Sequence, residues 1–137
     1  MAKAVPFDFV FDYLPADIII KPMFGMYSLY VGNRIVLIHH QREKYPEHNG
    51  IWVAINEGHL QRLKDEITAL SPILKENEKS CAKTWYMLKD TADDFEASAI
   101  KICEYISHGD PGIGGGTKRF IGDSSWFIAI LSIDHSR

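Results

Sequence analysis

The chain has little of what secreted, redox-active or membrane-spanning proteins are built from. It has two cysteines, Cys81 and Cys103, and they lack the C-x-x-C spacing of a zinc or redox site. No apolar run approaches the roughly 20 residues that a membrane helix needs, and the first residues have no signal-peptide pattern. We therefore expect a cytoplasmic protein with no disulfide framework and no membrane partner.

Motifs for metal binding and for nucleophilic catalysis are also missing. Adjacent histidines on a strand, such as His39 and His40, send their side chains to opposite faces, and the other four histidines are scattered. There is no H-E-x-x-H and no G-x-S-x-G motif. The glycines after Gly112 follow a predicted helix and lack the Gly-Lys-Ser/Thr order of a phosphate loop. The sequence predicts no metal, no cofactor and no catalytic residue.

The size and charge of the chain indicate one ordinary globular domain. With 137 residues, 46% of them hydrophobic, there is room for a single core. Fifteen basic and 18 acidic side chains give a net charge of −3, which provides no general attraction to nucleic acid. We predict one domain over residues 5–111, followed by a glycine-rich linker and a tail over residues 112–137.

Apolar periodicity predicts the order α-β-β-β-β-α-β-α. Helices are expected to start with Asn56 as an N-cap in one case and with a Thr91/Asp94 capping box in another. The Gly32-Asn33 pair between two β-rich runs predicts a hairpin, because both residues tolerate positive φ. The predicted helices cover residues 7–14, 60–70 and 95–106, and the predicted strands cover residues 18–20, 27–31, 34–39, 51–55 and 84–88.

Hairpin-linked strands favour an antiparallel sheet with the helices packed on one of its faces, which is an α+β fold. Cys103 falls on the apolar stripe of the last helix and is expected in the core. The isolated apolar run from Trp126 to Ile133 in the tail has three alternatives: an added edge strand, docking elsewhere on the domain, or pairing with another chain.

The segment Lys21–Met26 stands out because it joins two thioethers and an aromatic ring to a proline and a glycine, which together predict a defined bend. Its apolar side chains either fill the core under the first helix or form an adaptable contact surface, since methionine suits varied partners. The candidate interaction residues are Lys21, Met23, Phe24 and Met26.

A nucleic-acid surface is the alternative. Aromatic side chains on strands beside basic groups could stack bases, and the strand residues Tyr27, Tyr30, Trp52 and Trp85 could serve in that way. The sequence favours core packing for these rings, and Glu43 and Glu47 neutralise the neighbouring basic loop. The candidate nucleic-acid contacts are Arg34, Arg42 and Lys44.

At Lys21 and Met23-Phe24-Gly25, followed by Tyr27-x-Leu29-Tyr30-Val31 and the Gly32-Asn33 turn, the chain resembles the N-terminal domain of the TfoX/Sxy family. That family is associated with the regulation of DNA transformation competence. The resemblance implies an α+β domain through about Gly112, here without the C-terminal helical domain of the full-length regulators, and it implies no known catalysis.

The leading hypothesis is a non-enzymatic regulatory module that binds another protein, or itself, through the sheet edge or the Met-Phe-Gly segment. A nucleic-acid-associated transcriptional regulator is the second hypothesis. An enzyme of unrecognised type is the third, and it would need a deep pocket with convergent polar groups.

Overall fold

The structure is a computed structural model, and it describes residues 5–23, 25–43, 46–72 and 85–114. Within these ranges, six strands form one antiparallel sheet in the order β1-β2-β3-β4-β6-β5. This confirms the predicted α+β class with an antiparallel sheet. The strands are β1 (Ile19–Met23), β2 (Met26–Val31), β3 (Arg34–His40), β4 (Gly50–Ala54), β5 (Ser71–Pro72) and β6 (Trp85–Lys89); the helices are α1 (Leu60–Glu66), α2 (Phe95–Ser107) and the 3₁₀ helices Asp8–Tyr13, Pro46–His48 and Glu57–His59.

The first predicted helix is a 3₁₀ helix rather than an α-helix. Its six residues lie between Pro6 and Pro15, and Leu14, directly before Pro15, adopts the extended conformation that ends the helix. Phe7 precedes it in the left-handed region at φ 61°. The apolar stripe is nevertheless used as predicted, because Val10 and Leu14 are buried in the core.

The second predicted helix is shorter than expected, and its start is different. Residues Glu57–His59 form a 3₁₀ turn, α1 ends at Glu66, and Ile67 and Leu70 reach the core from the turn that follows. Asn56 makes no side-chain capping bond; its amide instead donates to the Pro111 carbonyl. Asp94 also makes no capping bond at α2, so the predicted capping box does not form.

Two hairpins build the first half of the sheet. The first turns at Gly25, whose φ of +80° suits glycine, and the second turns at Gly32-Asn33 as predicted, with Gly32 at φ +63°. Between β2 and β3 the register shifts after Leu29, which pairs with Leu37, because Tyr30 pairs with Ile35. Val36 is therefore the extra residue of a β-bulge on β3.

One face of the sheet, the helix face, carries the main core. Helices α1 and α2 and the N-terminal 3₁₀ helix pack against it. Cys103 is 1% exposed and belongs to this core, as its place on the α2 stripe predicts. The helix-side core comprises Val10, Leu14, Leu29, Val36, Leu37, Ile51, Val53, Ile55, Leu63, Ile67, Leu70, Leu88, Phe95, Ala99, Ile102, Cys103, Ile106 and Ile113.

The opposite face of the sheet, the second face, is buried as well. Cross-strand pairing places Ser28, Ile38, Trp52 and Met87 in one row across β2, β3, β4 and β6, away from the helix face. Every side chain on this face is 6% exposed or less. The second face consists of Met26, Ser28, Tyr30, Ile35, Ile38, His40, Trp52, Ala54, Trp85 and Met87.

Residues 112–114 differ from the expected start of a linker, because they are buried and held in place. Ile113 forms an antiparallel bridge with Ile55, and the Gly114 N–H donates to the Ala54 carbonyl at 2.8 Å. Asp110 accepts from both guanidinium nitrogens of Arg62, at 2.8 and 3.1 Å, and from the backbone N–H of Gly112. The expected linker and tail beyond Gly114 lie outside the described residues.

None of the helices within the described ranges combines the length and the apolar character that crossing a bilayer requires.

Candidate interaction site at the β1–β2 hairpin

The candidate interaction segment lies on β1, at one edge of the described sheet. Lys21 is exposed, and its Nζ lies 5.1 Å from the centroid of the Tyr30 ring, a cation–π distance. Ile19, two residues earlier on the same face, is 44% exposed, which is unusual for a large apolar side chain on a strand. The edge therefore presents an apolar group beside a cation.

Pro22 limits how far another strand could extend the sheet at this edge. The pair Met23↔Met26 closes a two-residue turn, and in such a hairpin the closing pair is hydrogen-bonded. The backbone groups of Pro22 and Ile20 then point away from β2. Pro22 has no N–H, and the N–H of Ile18 already donates to the Pro15 carbonyl at 3.1 Å. Of Ile18, Ile20 and Pro22, only Ile20 therefore has both an N–H and a carbonyl directed outward.

The turn after β1 lies against the loop that follows β3. A Cβ added at Gly25 would be 3.4 Å from the Nε of Arg42, so the arginine side chain lies directly over the glycine. Asn49 holds the Arg42 backbone at both ends: its Oδ1 accepts from the Arg42 N–H at 2.8 Å, and its Nδ2 donates to the Arg42 carbonyl at 3.0 Å. The same Oδ1 accepts from His40 Nδ1 at 2.9 Å. The structure therefore brings the hairpin turn and Arg42 together.

The prediction that Met26 is an interaction residue is wrong. It pairs with His40 in the sheet and is 2% exposed on the second face, so it packs inside the domain and cannot serve as a contact residue. The side chain of Met23 and the whole of Phe24 lie outside the described residues. Lys21 is the described member of the predicted set that is exposed.

The basic residues proposed for nucleic-acid contact do not gather. Arg34 begins β3 and donates from its guanidinium to the Ile113 carbonyl at 2.7 Å, whereas Arg42 follows the other end of the same strand. The length of β3 from Arg34 to His40, roughly 20 Å, lies between them. Lys44 lies outside the described residues. Arg34 is thus used to hold the domain together.

The aromatic side chains proposed for base stacking are mostly in the interior. Tyr30, Trp52 and Trp85 are between 0% and 6% exposed. The Trp52 ring stacks on His40, with centroids 5.3 Å apart, and its Nε1 donates to the His48 carbonyl at 3.0 Å. Core packing, the alternative that the sequence favoured, accounts for these three rings; Tyr27 is half-buried.

His39 is a buried titratable group whose setting the sequence did not reveal. It is fully buried between Phe7, at 5.7 Å between ring centroids, and Phe11, at 6.0 Å. Its Nδ1 donates to the Pro6 carbonyl at 2.7 Å, because a carbonyl oxygen can only accept. Burial lowers the pKa of His39 to about 4, although the bond to Pro6 opposes that shift. The apolar run Ile35–Ile38 immediately before it in β3 was the available signal.

Acidic side chains line an open depression of about 310 Å³ beside the start of α2, formed by Asp90, Asp93, Asp94 and Glu96 among others. Across the described ranges, no group of three or more His, Cys, Asp or Glu side chains is arranged to hold a metal ion.

Comparison of the chain with protein-family models, with curated proteins and with solved structures finds no significant match.

Proposed function

We propose that the chain is a non-enzymatic, regulatory protein-interaction module that receives a short extended segment of a protein partner along β1. The regulatory role is the one that the resemblance to the TfoX/Sxy N-terminal domain implies. The partner meets the outer edge of β1 at Ile20 and packs against the exposed side chains of Ile19 and Lys21.

The observation that carries this proposal is the exposure of Ile19 on an edge strand. Two large hydrophobic side chains are exposed among the described residues, Tyr13 at 38% and Ile19 at 44%. Ile19 is the one that lies on a strand edge with which no described strand pairs. Strand edges recruit peptides through main-chain hydrogen bonds, while neighbouring side chains give specificity.

The proline also defines what kind of partner fits. A long incoming strand would face Pro22 without a donor to pair with, so an extended ladder is unfavourable there. A short segment centred opposite Ile20 exchanges an N–H···O=C pair with that residue alone. An apolar side chain of the partner then covers Ile19, and an acidic one complements Lys21. Affinity in this arrangement depends strongly on the side-chain contacts.

Affinity capture from a cell extract, with the partner identified by mass spectrometry and its binding then measured with purified components, tests the proposal. Ile19→Asp should weaken the interaction by at least about tenfold, because the contact loses its apolar centre. Tyr13→Asp is the matched control: it makes the same change at the other exposed hydrophobic position and should leave the affinity unchanged. Both variants should keep the wild-type melting temperature.

The same affinity capture distinguishes the nucleic-acid hypothesis from this proposal. If the captured material is nucleic acid and its binding falls steeply with added salt, the protein-interaction proposal is wrong. Equal loss of binding in Ile19→Asp and Tyr13→Asp would also contradict a specific role for β1.

A further inference from the structure

The second face of the sheet needs covering atoms that the helices do not provide. Its ten side chains are 6% exposed or less, and four of them, Trp52, Ala54, Trp85 and Met87, belong to the paired strands β4 and β6. An antiparallel sheet with helices on one side commonly leaves its other side wetted, with polar side chains there. Here that side is mostly apolar and buried.

The three helices that form the helix-side core lie on the opposite side. The N-terminal 3₁₀ helix, α1 and α2 contribute to the helix-side core, and no member of that core belongs to the second face. Within the described ranges, Lys21 approaches Tyr30 on the second face, and the 3₁₀ helix Pro46–His48 reaches the same face through the His48 carbonyl, which accepts from Trp52, and the His48 ring, 6.4 Å from the His40 ring. The centre of the face, around Ile38, requires another occupant.

The described chain ends at the border between the two faces. Ile113 belongs to the helix-side core and bridges to Ile55, and Gly114 is bonded to the Ala54 carbonyl. Ala54 carries its own side chain on the second face, opposite Trp85. The chain therefore enters the plane of the sheet at the end of β4, from which either face is within reach.

We propose that the apolar run Trp126–Leu131 of the same chain docks on the second face. This inference goes beyond the proposed function and does not depend on it. The run has six consecutive apolar residues, whereas the other long segment outside the described ranges, residues 73–84, contains five charged ones. Trp126 follows Gly114 by 12 residues, enough to extend about 40 Å, and a six-stranded sheet is only about 24 Å wide.

Two double variants of the full chain test the docking, both made in a Trp126→Phe background so that fluorescence reports Trp52 and Trp85. Ile128→Asp/Ile130→Asp places charge within the run, and Ser124→Asp/Ser125→Asp places the same charge just outside it. We expect acrylamide quenching to rise several-fold in the first and to stay unchanged in the second. Unchanged quenching in the first variant would overturn the proposal.

A proximity measurement covers the case in which the charged variant fails to fold. In the wild-type chain with ¹³C-labelled methyl groups, we expect nuclear Overhauser effects from Ile128 or Ile130 to Ile38 or Met87. Contacts from Ile38 and Met87 to Ile73 or Leu74 instead would contradict the proposal. Contacts seen only between differently labelled copies would assign the face to a second chain and contradict it equally.

Discussion

Arg34 donates a hydrogen bond from its guanidinium to the carbonyl oxygen of Ile113, 79 residues further along the chain, at 2.7 Å. The same guanidinium lies over Gly114, where an added Cβ would meet it. This contact joins the start of β3 to the last described residues, and it makes Arg34 a structural residue rather than a surface cation.

Replacing Arg34 by Met should lower the free energy of unfolding by about 1–3 kcal/mol, because a charged donor is removed from a part-buried carbonyl. Urea unfolding followed by circular dichroism measures the change. Lys101→Met is the control, since its ammonium also donates to a carbonyl, that of Glu66, but at an exposed position. Equal losses of unfolding free energy in the two variants would show that the Arg34 hydrogen bond stabilises the fold no more than the exposed Lys101 bond does.

The pKa of His39 predicts a loss of stability in acid. The pKa lies at about 4 in the folded chain, against about 6.5 in an unfolded one. The unfolded chain therefore binds the proton first as the pH falls. The contribution of His39 to the free energy of unfolding is therefore fully present above pH 6.5. It declines by up to about 3 kcal/mol between pH 6.5 and 4.

Unfolding free energies of the wild type and of His39→Phe, measured at several values of pH, test that prediction. The difference between the two curves should slope in this window, because the other titrating groups are common to both proteins. A histidine C2–H resonance of His39 that titrates near pH 6.5 in the folded protein would refute the assignment.

Gly50 should tolerate no side chain. Its φ is +148°, and a Cβ there would be only 2.1 Å from the Leu88 carbonyl oxygen of the neighbouring strand. Gly50→Ala should cost more than about 3 kcal/mol or abolish folding, because backbone cannot yield as a side chain does. Gly58→Ala is the matched control, because no atom outside its chain neighbours lies within 4 Å of that Cβ. Its free energy of unfolding, measured by thermal denaturation, should change by no more than about 1 kcal/mol.

Cys103 should be unreactive while the protein is folded. It is 1% exposed, and burial, assisted by Glu104, raises the pKa of its thiol to about 12. The thiolate is the reactive form. In a Cys81→Ser background, a thiol reagent should label the chain only as denaturant unfolds it; labelling of the native protein at the rate of a free thiol would contradict the prediction.

Five of the six strands were predictable because local signals agree with the fold, whereas the two-residue β5 (Ser71–Pro72) lies outside every predicted strand. Gly32-Asn33 forms the predicted hairpin, and the apolar runs around Leu37 and Val53 form strands. The helix ends were less predictable, since Asn56 and Asp94 are suitable caps but make other contacts or none. Their side chains are decided by neighbours far along the chain, such as Pro111 for Asn56.

The sequence hypothesis named the segment on which the candidate site is proposed, but only part of that segment is accessible. The sequence singled out Lys21–Met26, and the structure places Lys21 on an exposed edge, but it buries Met26 on the second face. Ile19, the exposed residue that carries the proposed function, looks like any other member of an apolar run. Exposure at an edge follows from strand order, and no local pattern encodes that order.

The extra residue in β3 decides where Arg34 emerges. Because Val36 is unpaired, Ile35 falls opposite Tyr30 and Arg34 opposite Val31, on the same side of the sheet as Ile113. Without this bulge, a strictly alternating β3 would place Arg34, three residues before Leu37, on the face opposite that of Leu37 and away from the carbonyl that it now holds. The bulge residue Val36 thus places Arg34 so that its guanidinium can donate to a carbonyl 79 residues further along the chain.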